Sequence, residues 1–404
     1  MNVKILQSRI IFIFYPWETI GGAIIRTTNL IKVLSRYYEI NLLILPPRKM
    51  SVLYSLNKSL QGVNVKVYFM PMKVKPLLGE LDFTTFIKAL SSIIKFLLQE
   101  PRSLKQRSIL YSRPPLYLLL ASIFIGKLFS IPIVVEIHHH IYNDYKNSLF
   151  RLALKILEWL VLSLSTLVVV NSEIFYKELR NSILKSRPEK VILVKNCINI
   201  KELISLTNVE ERIDLKRKKC NDIIGFVGSL KIEEDIITLL KAFKLVLQNK
   251  SDVCLIIVGE GPMRHYYEKL VKVLGLEGYV IFLGERSHEE TIKIMRNLKI
   301  FIALRKKYQR TEFAAPLKVI EALALEIPLI STDLPPIREV AKDAAIFVPP
   351  SDYKAVATAI LSLLSNPALS LELKERGKQY AIELDCEKVI IPLLQALSYN
   401  KYEN

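Results

Sequence analysis

Short apolar runs of strand length alternate with longer amphipathic segments along the whole chain. Seven apolar runs in the first half are typical of strands: IIFIFYP, INLLIL, VKVYFM, SILYS, IPIVVEIH, TLVVVN and VILVK. The pattern restarts in the second half with DIIGFVG, CLIIVG, YVIFLG, KIFIAL, IPLIS and AAIFVP. Segments such as TTNLIKVLSRY and FRLALKILEWLVLSL lie between these runs and predict helices. The alternation predicts an α/β fold with two doubly wound, Rossmann-like parallel sheets, each covered by helices on both faces.

A polar stretch, NIKELISLTNVEERIDLKRKKCND, separates the two patterns. With 404 residues the chain has enough length for two or three globular domains. We therefore predict a first domain over 1–200, a second domain over 201–385, and a last segment over 386–404 whose helix fits neither pattern.

The most apolar stretch, from Leu116 to Ile137, is long enough to cross a bilayer. Lys127 lies at its middle and Pro132 follows, which favours a helix, a turn and a strand over a membrane span. The apolar run near the N-terminus is not followed by a small-residue cleavage site, so it is interpreted as a first buried strand.

Positive charge is concentrated in the first half of the chain. The net charge is +18, and residues 1–200 hold 27 Lys and Arg against 11 Asp and Glu, a difference of +16. This asymmetry predicts that the first half meets an anionic partner, either a phosphate-bearing lipid, a phospholipid surface or nucleic acid, unless the source proteome is generally basic. The cations are scattered over predicted helices without a recognised nucleic-acid module, which disfavours nucleic acid.

One predicted helix has the pattern of a membrane-surface helix. The segment 83–107 carries apolar residues at helical spacing as far as Leu98, and Arg102, Lys105 and Arg107 lie beyond the end of that stripe. A helix that covers the sheet of the first domain would show the same stripe, so both interpretations stay open.

The chain has four cysteines, with neither a C-x-x-C pair nor the spacing of metal ligands. We expect Cys197, Cys220, Cys254 and Cys386 to be buried free thiols in a reducing compartment.

Candidate chemistry lies in the turns that follow the predicted strands, because ligands of doubly wound sheets bind beyond the carboxyl ends of the strands. Gly21 and Gly22 follow the first strand and precede a helix, which allows either tight packing or contact with a phosphate. In the second half, Ser229 and Lys231 lie in a glycine turn that matches neither the dinucleotide fingerprint nor the Walker loop.

The densest group of polar residues runs from Arg305 to Glu321. A proline before Leu317 predicts a helix start whose free backbone N–H groups, beside Lys318, could receive a diphosphate. Glu321 lies three residues after Lys318, where its carboxylate could accept hydrogen bonds from ribose hydroxyls; an exposed Lys/Glu helix pair is the alternative.

Three consecutive histidines follow the strand IVVEI. Their side chains point in alternating directions and cannot all bind one metal ion, so we predict no metal site. His138, which directly continues the strand, is the candidate for a functional site, and solvated loop histidines are the alternative.

These motifs, taken in order over nearly the whole chain, resemble the family 4 glycosyltransferases, which are retaining enzymes of the two-domain GT-B fold. The motifs that carry the resemblance are Gly21-Gly22 with Arg26, Tyr111-Ser112-Arg113, Ile133 to His138, Val170 to Glu173, Lys195 to Asn199, Val227 to Lys231, Val258 to Pro262, Phe282 to Gly284 and Pro316 to Ala324. The resemblance implies two domains that face each other across a cleft, a nucleotide-sugar donor on the second domain, an acceptor on the first, and a last helix that crosses back to the first. It also implies that no cofactor and no essential metal is needed.

Several positions depart from the pattern of this family. Ser229 and Glu234 stand where an Arg and a Lys usually form a cationic pair on the donor diphosphate. Glu312 is one residue out of register with the glutamate that usually precedes Glu321 by eight positions, and Glu326 replaces a helix-ending glycine.

The leading hypothesis is a retaining glycosyltransferase that moves a hexose-type sugar to a glycan or lipid-linked acceptor at the cytoplasmic face, with peripheral contact to an anionic membrane. Its expected catalytic residues are His138 and Glu312. Its expected donor-binding residues are Gly21, Gly22, Ser229, Lys231, Arg305, Leu317, Lys318 and Glu321. The alternatives are a non-catalytic GT-B partner subunit that has lost donor turnover, which the missing cationic pair motivates, and a sugar-nucleotide epimerase or a phosphorylase. The base, sugar, acceptor and linkage stay open.

Overall fold

The computed structural model describes residues 8–15, 22–45, 50–70, 83–99, 107–145, 147–206, 220–313 and 315–398. The chain divides into two compact units, of which the first comprises 1–195 and 389–404 and the second comprises 196–388. The last segment of the chain thus belongs to the first unit, where its final helix packs against a strand of the sheet.

The N-terminal unit contains a parallel sheet of seven strands in the order β3-β2-β1-β4-β5-β6-β7. The strands are β1 Arg9–Phe14, β2 Glu39–Ile44, β3 Val65–Phe69, β4 Ser108–Ser112, β5 Ile133–Glu136, β6 Leu167–Val170 and β7 Val191–Leu193. The helices of this unit are α1 Gly22–Leu34, α2 Met50–Ser59, α3 Phe83–Gln99, α4 Leu116–Phe129, α5 Ser148–Leu164 and α6 Glu173–Asn181. Strand order reverses beside β1, and its carboxyl end is therefore a topological switch point of this sheet.

The C-terminal unit contains a parallel sheet of six strands in the order β10-β9-β8-β11-β12-β13. The strands are β8 Asp222–Val227, β9 Val253–Val258, β10 Val280–Gly284, β11 Ile300–Ala303, β12 Leu329–Thr332 and β13 Ala345–Val348. The helices that follow β7 are α7 Ile200–Leu206, α8 Ile236–Asn249, α9 Arg264–Val273, α10 His288–Arg296, α11 Leu317–Ala324, α12 Pro335–Ala341, α13 Tyr353–Ser365, α14 Pro367–Glu383, α15 Cys386–Val389 and α16 Ile391–Ser398. The prediction of two Rossmann-like parallel sheets is confirmed, and each of the thirteen predicted strands is present.

The strands that lie inside the two sheets consist mainly of buried residues. β1 and β9 are buried at every position, as expected for strands covered by helices on both faces. The stretch from Leu116 to Ile137 forms α4, a turn and β5, which confirms the predicted helix, turn and strand. Among the described residues no single helix has both the length and the composition to cross a membrane; α13 and α14 meet these criteria only as a pair bent by 99°.

Most of the apolar stripe of α3 faces the protein interior. Ala89, Ile93 and Leu97 are fully buried in a core that also contains residues of β1 and α4. The interpretation of α3 as a helix that covers the core is therefore supported for most of this stripe, whereas Ile87 and Leu98 are 45% and 63% exposed, and Arg102 and Lys105 lie outside the described residues.

The prediction of free thiols is also wrong. Cys197 forms a disulfide with Cys386, and Cys220 forms one with Cys254. The Cα atoms of the first pair are 4.9 Å apart, although 189 positions separate the two residues along the chain. A short segment near Cys197 pairs with the segment before Cys386, because Ile198 and Asp385 form a parallel bridge.

Candidate functional site

The strongest group of candidate donor-binding residues surrounds the start of α11. Pro316 precedes the helix in an extended conformation, so Leu317 is the first helical residue, as predicted. The first backbone N–H groups of a helix have no partner within the helix and favour an anion. Glu321 follows one turn later and its side chain is buried.

His288 holds the carboxylate of Glu321. Its Nε2 lies 2.8 Å from Glu321 Oε1. His288 is the first residue of α10, whose start is fixed by a capping box between Ser287 and Glu290. The sequence analysis missed His288, because only the fold brings it to a carboxylate 33 positions away. A carboxylate has further lone pairs, so Glu321 can still accept a hydrogen bond from a ligand hydroxyl.

Lys318 is buried and bound to an acidic residue. Its Nζ donates to Glu234 Oε2 at 2.5 Å and lies 4.3 Å from the centre of the Phe226 ring. Burial lowers the pKa of Lys318, and the nearby Glu234 carboxylate opposes that shift. Arg305 Nε lies 4.0 Å from the other oxygen of Glu234. Glu234 therefore contacts two of the three cations, Lys318 and Arg305, that were predicted to bind the donor.

The loop that carries Glu234 is fixed against the end of β11. Glu234 and Arg305 form an antiparallel bridge, Asp235 N donates to Leu304 O, and Lys306 N donates to Glu233 O. The position of the carboxylate is thus determined by backbone hydrogen bonds.

Two glycines allow the close backbone approach in this region. A Cβ on Gly228 would lie 2.8 Å from Lys318 Nζ, and a Cβ on Gly259 would overlap the carbonyl oxygen of Gly228. Both residues have positive φ, 154° and 130°, which L side chains rarely adopt. Only glycine therefore fits where β8 and β9 end beside Lys318.

The remaining predicted donor-binding residues, and the predicted catalytic residue Glu312, make weaker side-chain contacts. Ser229 Oγ contacts the carbonyl oxygen of Glu260 at 3.5 Å, and Lys231 is exposed. Glu312 ends a short 3₁₀ turn, Gln309–Glu312, and its Oε1 lies 3.5 Å from Lys307 Nζ. Gly22 begins α1 in the N-terminal unit, and Gly21 lies outside the described residues.

In the N-terminal unit, His138 lies beside a buried polar network centred on Glu136. Glu136 Oε1 is 2.6 Å from both Arg26 Nε and His138 Nε2, and Tyr111 donates its hydroxyl to Glu136 Oε2 at 2.5 Å. Arg113 Nη2 lies 3.5 Å from Glu136 Oε1. Arg26 also donates to the backbone carbonyls of residues 194 and 195.

This network fixes the protonation of His138. Burial raises the pKa of Glu136, but Arg113 and Arg26 outweigh this effect and hold the pKa well below its usual range. Burial lowers the pKa of His138 to about 4. An ionised carboxylate only accepts hydrogen bonds, so the neutral imidazole must donate through Nε2, which makes Nδ1 an acceptor.

The two following histidines have other partners. His139 Nε2 contacts Asp144 at 3.2 Å. His140 is buried between Glu158 Oε1 at 2.6 Å and Glu178 Oε1 at 3.0 Å. Burial lowers the pKa of His140, but these two carboxylates outweigh it, and the net shift is upward. Among the described residues no group of three His, Cys, Asp or Glu is placed to hold a metal ion.

Comparison with known proteins finds a family similarity in the C-terminal unit. Residues 208–381 match the family described as glycosyl transferases group 1. Over these residues, which are less than half of the chain, the protein is similar to the group 1 glycosyl transferases. This confirms the glycosyltransferase resemblance seen in the sequence.

Curated relatives and solved structures agree with this family. The chain is 28% identical over 168 residues to alpha-D-kanosaminyltransferase of Streptomyces kanamyceticus, which covers 41% of each chain. It is 22% identical over 205 residues to N-acetyl-alpha-D-glucosaminyl L-malate synthase of Bacillus anthracis, with 48% of this chain and 52% of that protein covered. The matches thus span about half the length of these curated relatives or less.

Two solved structures match the fold over nearly the whole chain. Anabaena Alr3699/HepE in complex with UDP and glucose superposes with a TM-score of 0.72 at 15% identity, over 97% of this chain and 100% of that chain. Sucrose-phosphate synthase of Thermosynechococcus elongatus gives a TM-score of 0.74 at 17% identity, with coverage of 96% and 98%. The predicted GT-B fold, with two Rossmann-like domains, is thereby confirmed.

Proposed function

We propose that the protein is a glycosyltransferase that uses a nucleoside diphosphate sugar as its donor. The observation that carries this proposal is the buried Glu321 carboxylate, oriented by His288 and lying one helical turn from the first N–H groups of α11. A carboxylate and a helix N-terminus at this separation suit a ribose and a diphosphate of the same nucleotide. The group 1 domain and the UDP-bound neighbour support the same donor class.

In this proposal the helix start at Leu317 and Lys318 stabilises the charge that develops on the leaving diphosphate. Glu312 holds hydroxyls of the donor sugar, and Ser229, Lys231 and Arg305 contribute to the same donor. No metal and no cofactor is required, because backbone N–H groups and cations supply the positive potential that a divalent ion would supply.

His138 serves the transferred sugar or its acceptor in the N-terminal unit, where Gly22 serves the phosphates. Its neutral imidazole offers Nδ1 as an acceptor for a hydroxyl. We propose retention of configuration by same-face attack of the acceptor hydroxyl, a hexose-type sugar, and a glycan or lipid-linked acceptor.

We also propose that the protein acts at the cytoplasmic face of a membrane. The net charge of +16 over residues 1–200 supports contact with the anionic lipids of that face.

A nucleotide titration tests the donor assignment. Glu321→Gln keeps the shape and removes the charge, so it should weaken binding of the matching nucleoside diphosphate by roughly 1–3 kcal/mol. Glu326→Gln, an exposed glutamate just past the same helix, is the matched control and should bind like the unchanged protein. A thermal-shift panel of UDP, GDP and ADP selects the ligand, since a ligand that binds only the folded state raises Tm. Equal affinity in both variants would remove Glu321 from the site.

A non-catalytic partner subunit is the second candidate, because Glu234 neutralises Lys318 where a transferase needs positive charge. Donor hydrolysis or sugar transfer by the purified protein distinguishes the two. Nucleotide binding without either product would favour the partner subunit.

A further inference from the structure

Exposed apolar side chains are concentrated on one side of α5 in the N-terminal unit. Leu149 is 77% exposed, Leu152 54%, Ile156 52% and Trp159 49%. Leu160 and Leu164 are also exposed and continue the same side. These positions follow helical spacing, so they form one continuous surface, which we call the α5 face.

The rotation of α5 is fixed by its opposite side. Leu154, Val161 and Leu162 are buried there. Glu158 is buried with them, where it contacts His140 and accepts a hydrogen bond from Ile141 N at 2.6 Å. The single carboxylate of the helix therefore points inward, and the α5 face carries no charged side chain in a helix that the structure describes completely.

The end of α4 extends this surface. α4 packs against α5, and its residues Phe124 and Leu128 are 52% and 60% exposed. The side chain of Lys127, between them, is exposed as well. Two adjacent helices thus present apolar residues to the outside of one unit.

Cations border the α5 face. Lys190 Nζ donates to the carbonyl oxygens of Ser163 and Ser165 at the end of α5. Burial lowers the pKa of Lys190, and the charges of Arg187 and Lys127 lower it further, so the three cations lie near one another. Lys155 is exposed at the edge of the face. The carboxylate of Glu189 also lies near Lys190 and acts to raise its pKa.

We propose that the α5 face, with the end of α4, docks on an anionic lipid bilayer. An apolar face with cations at its border is the pattern of a helix that lies in a membrane interface, with its Trp at the headgroup level. A second copy placed face to face would bring the bordering cations of both copies together, which is unfavourable. The purpose of such docking, access to a lipid-linked acceptor, rests on the proposed function. Docking itself is measured without nucleotide and is therefore tested independently of the donor site.

Trp159 allows a direct test. The chain has two tryptophans, so Trp17→Phe leaves Trp159 as the single reporter on the α5 face. Its emission should shift to shorter wavelength with vesicles of equal parts phosphatidylcholine and phosphatidylglycerol, and the shift should reverse as salt is added. With phosphatidylcholine alone the shift should be much smaller.

A double variant provides the control for the surface itself. Leu152→Ser with Ile156→Ser should lower binding to the mixed vesicles at least tenfold, because two partly inserted apolar side chains are lost. Val273→Ser, at a site 80% exposed in the C-terminal unit, should leave vesicle binding unchanged. Both variants change exposed positions and should keep the Tm of the unchanged protein.

Three outcomes would overturn the docking surface: no emission shift, equal recovery in the supernatant with both vesicle types at low salt, or dimers in solution that the double variant abolishes. A nucleotide thermal shift that persists in the double variant separates the two proposals. In the unchanged protein, absence of vesicle binding with an intact nucleotide thermal shift counts against docking alone, and absence of a nucleotide thermal shift with intact vesicle binding counts against the donor site alone.

Discussion

Replacing Glu234 by glutamine should tighten the binding of a nucleoside diphosphate to the C-terminal unit. The carboxylate contacts Lys318 at 2.5 Å and lies 4.0 Å from Arg305, so both cations are partly neutralised before any ligand arrives. An incoming diphosphate must either displace Glu234 or tolerate its negative charge. Glutamine keeps the size of the side chain and removes that charge.

The magnitude follows from the distance between charges. A phosphate oxygen in hydrogen-bond contact with Lys318 Nζ would lie about 4 Å from the Glu234 carboxylate at an ordinary angle. Two unit charges at about 4 Å interact by roughly 1 kcal/mol in water and roughly 4 kcal/mol near a protein surface. Because Glu234 is partly exposed and can move, we expect the lower part of this range, about 1–2 kcal/mol, or roughly five- to thirtyfold in Kd.

Isothermal titration calorimetry measures the change in UDP affinity, and the Tm without ligand measures the loss of stability caused by Glu234→Gln. Without ligand the variant should melt at a lower temperature, because Lys318 is left as a buried cation without its carboxylate. Saturating UDP should then raise Tm more in Glu234→Gln than in the unchanged protein. Glu233→Gln removes the same charge one residue away in the same loop and is the control.

Weaker or unchanged UDP affinity in a folded Glu234→Gln protein would refute this reasoning. It would mean that the diphosphate does not lie against Lys318, or that Glu234 contributes a contact to the ligand. Equal tightening in Glu233→Gln would mean that the effect is general and does not depend on the ion pair.

Four further experiments test other parts of the structure. Between pH 5 and 8 turnover should show no acid limb from His138, because its pKa of about 4 lies below the ordinary 6.5. Since the pKa is lowered in the folded state, His138 should make the protein less stable as pH falls from about 6.5 to 4. A limb near pH 6.5 that vanishes in His138→Asn would contradict this. In Glu136→Gln the glutamine amide can donate to His138 Nε2 and reverse the tautomer of that imidazole. Donor turnover should therefore fall far more than UDP affinity. Glu326, at φ 56°, should gain about 0.5–1 kcal/mol of stability on replacement by glycine, measured by urea unfolding, whereas alanine should not stabilise. Thiol titration of the denatured, unreduced protein should find no free Cys197 or Cys386, and any thiol signal counts against the disulfides.

The strands could be predicted because each is a short apolar run bounded by turns, and burial on both faces needs no knowledge of partners. The candidate loops could be predicted for a related reason, since the carboxyl ends of parallel strands meet at one edge. Local signals also placed the start of α11, where Pro316 precedes Leu317. These features depend only on residues that are neighbours in sequence.

Contacts between distant residues could not be read from spacing. Arg26 and Glu136 are 110 positions apart, and His288 and Glu321 are 33 apart. The periodicity of the sequence does not predict which cation will pair with a given carboxylate. The pairing of Cys197 with Cys386 across 189 positions escaped prediction for the same reason.

Helices α3 and α5 show why periodicity alone cannot predict which apolar surface of the first unit is exposed. An apolar stripe has the same spacing whether it faces the core or the outside. In α3 most of the stripe is buried against the core, whereas in α5 the apolar residues surround most of the helix and the one carboxylate, Glu158, points inward. Only the buried partner His140 reveals that orientation.

Buried carboxylates also decide which groups remain to bind an anion. Glu136 engages Arg26 and lies close to Arg113, so these cations of the N-terminal unit stabilise the fold around His138. Glu234 does the same to Lys318 in the C-terminal unit. Backbone N–H groups at the start of α11 carry a partial positive charge that no carboxylate of the same helix can remove, because Glu321 lies a full turn further on and contacts His288. A diphosphate that binds this protein therefore depends on the helix start first, and on Lys318 only to the extent that Glu234 releases it.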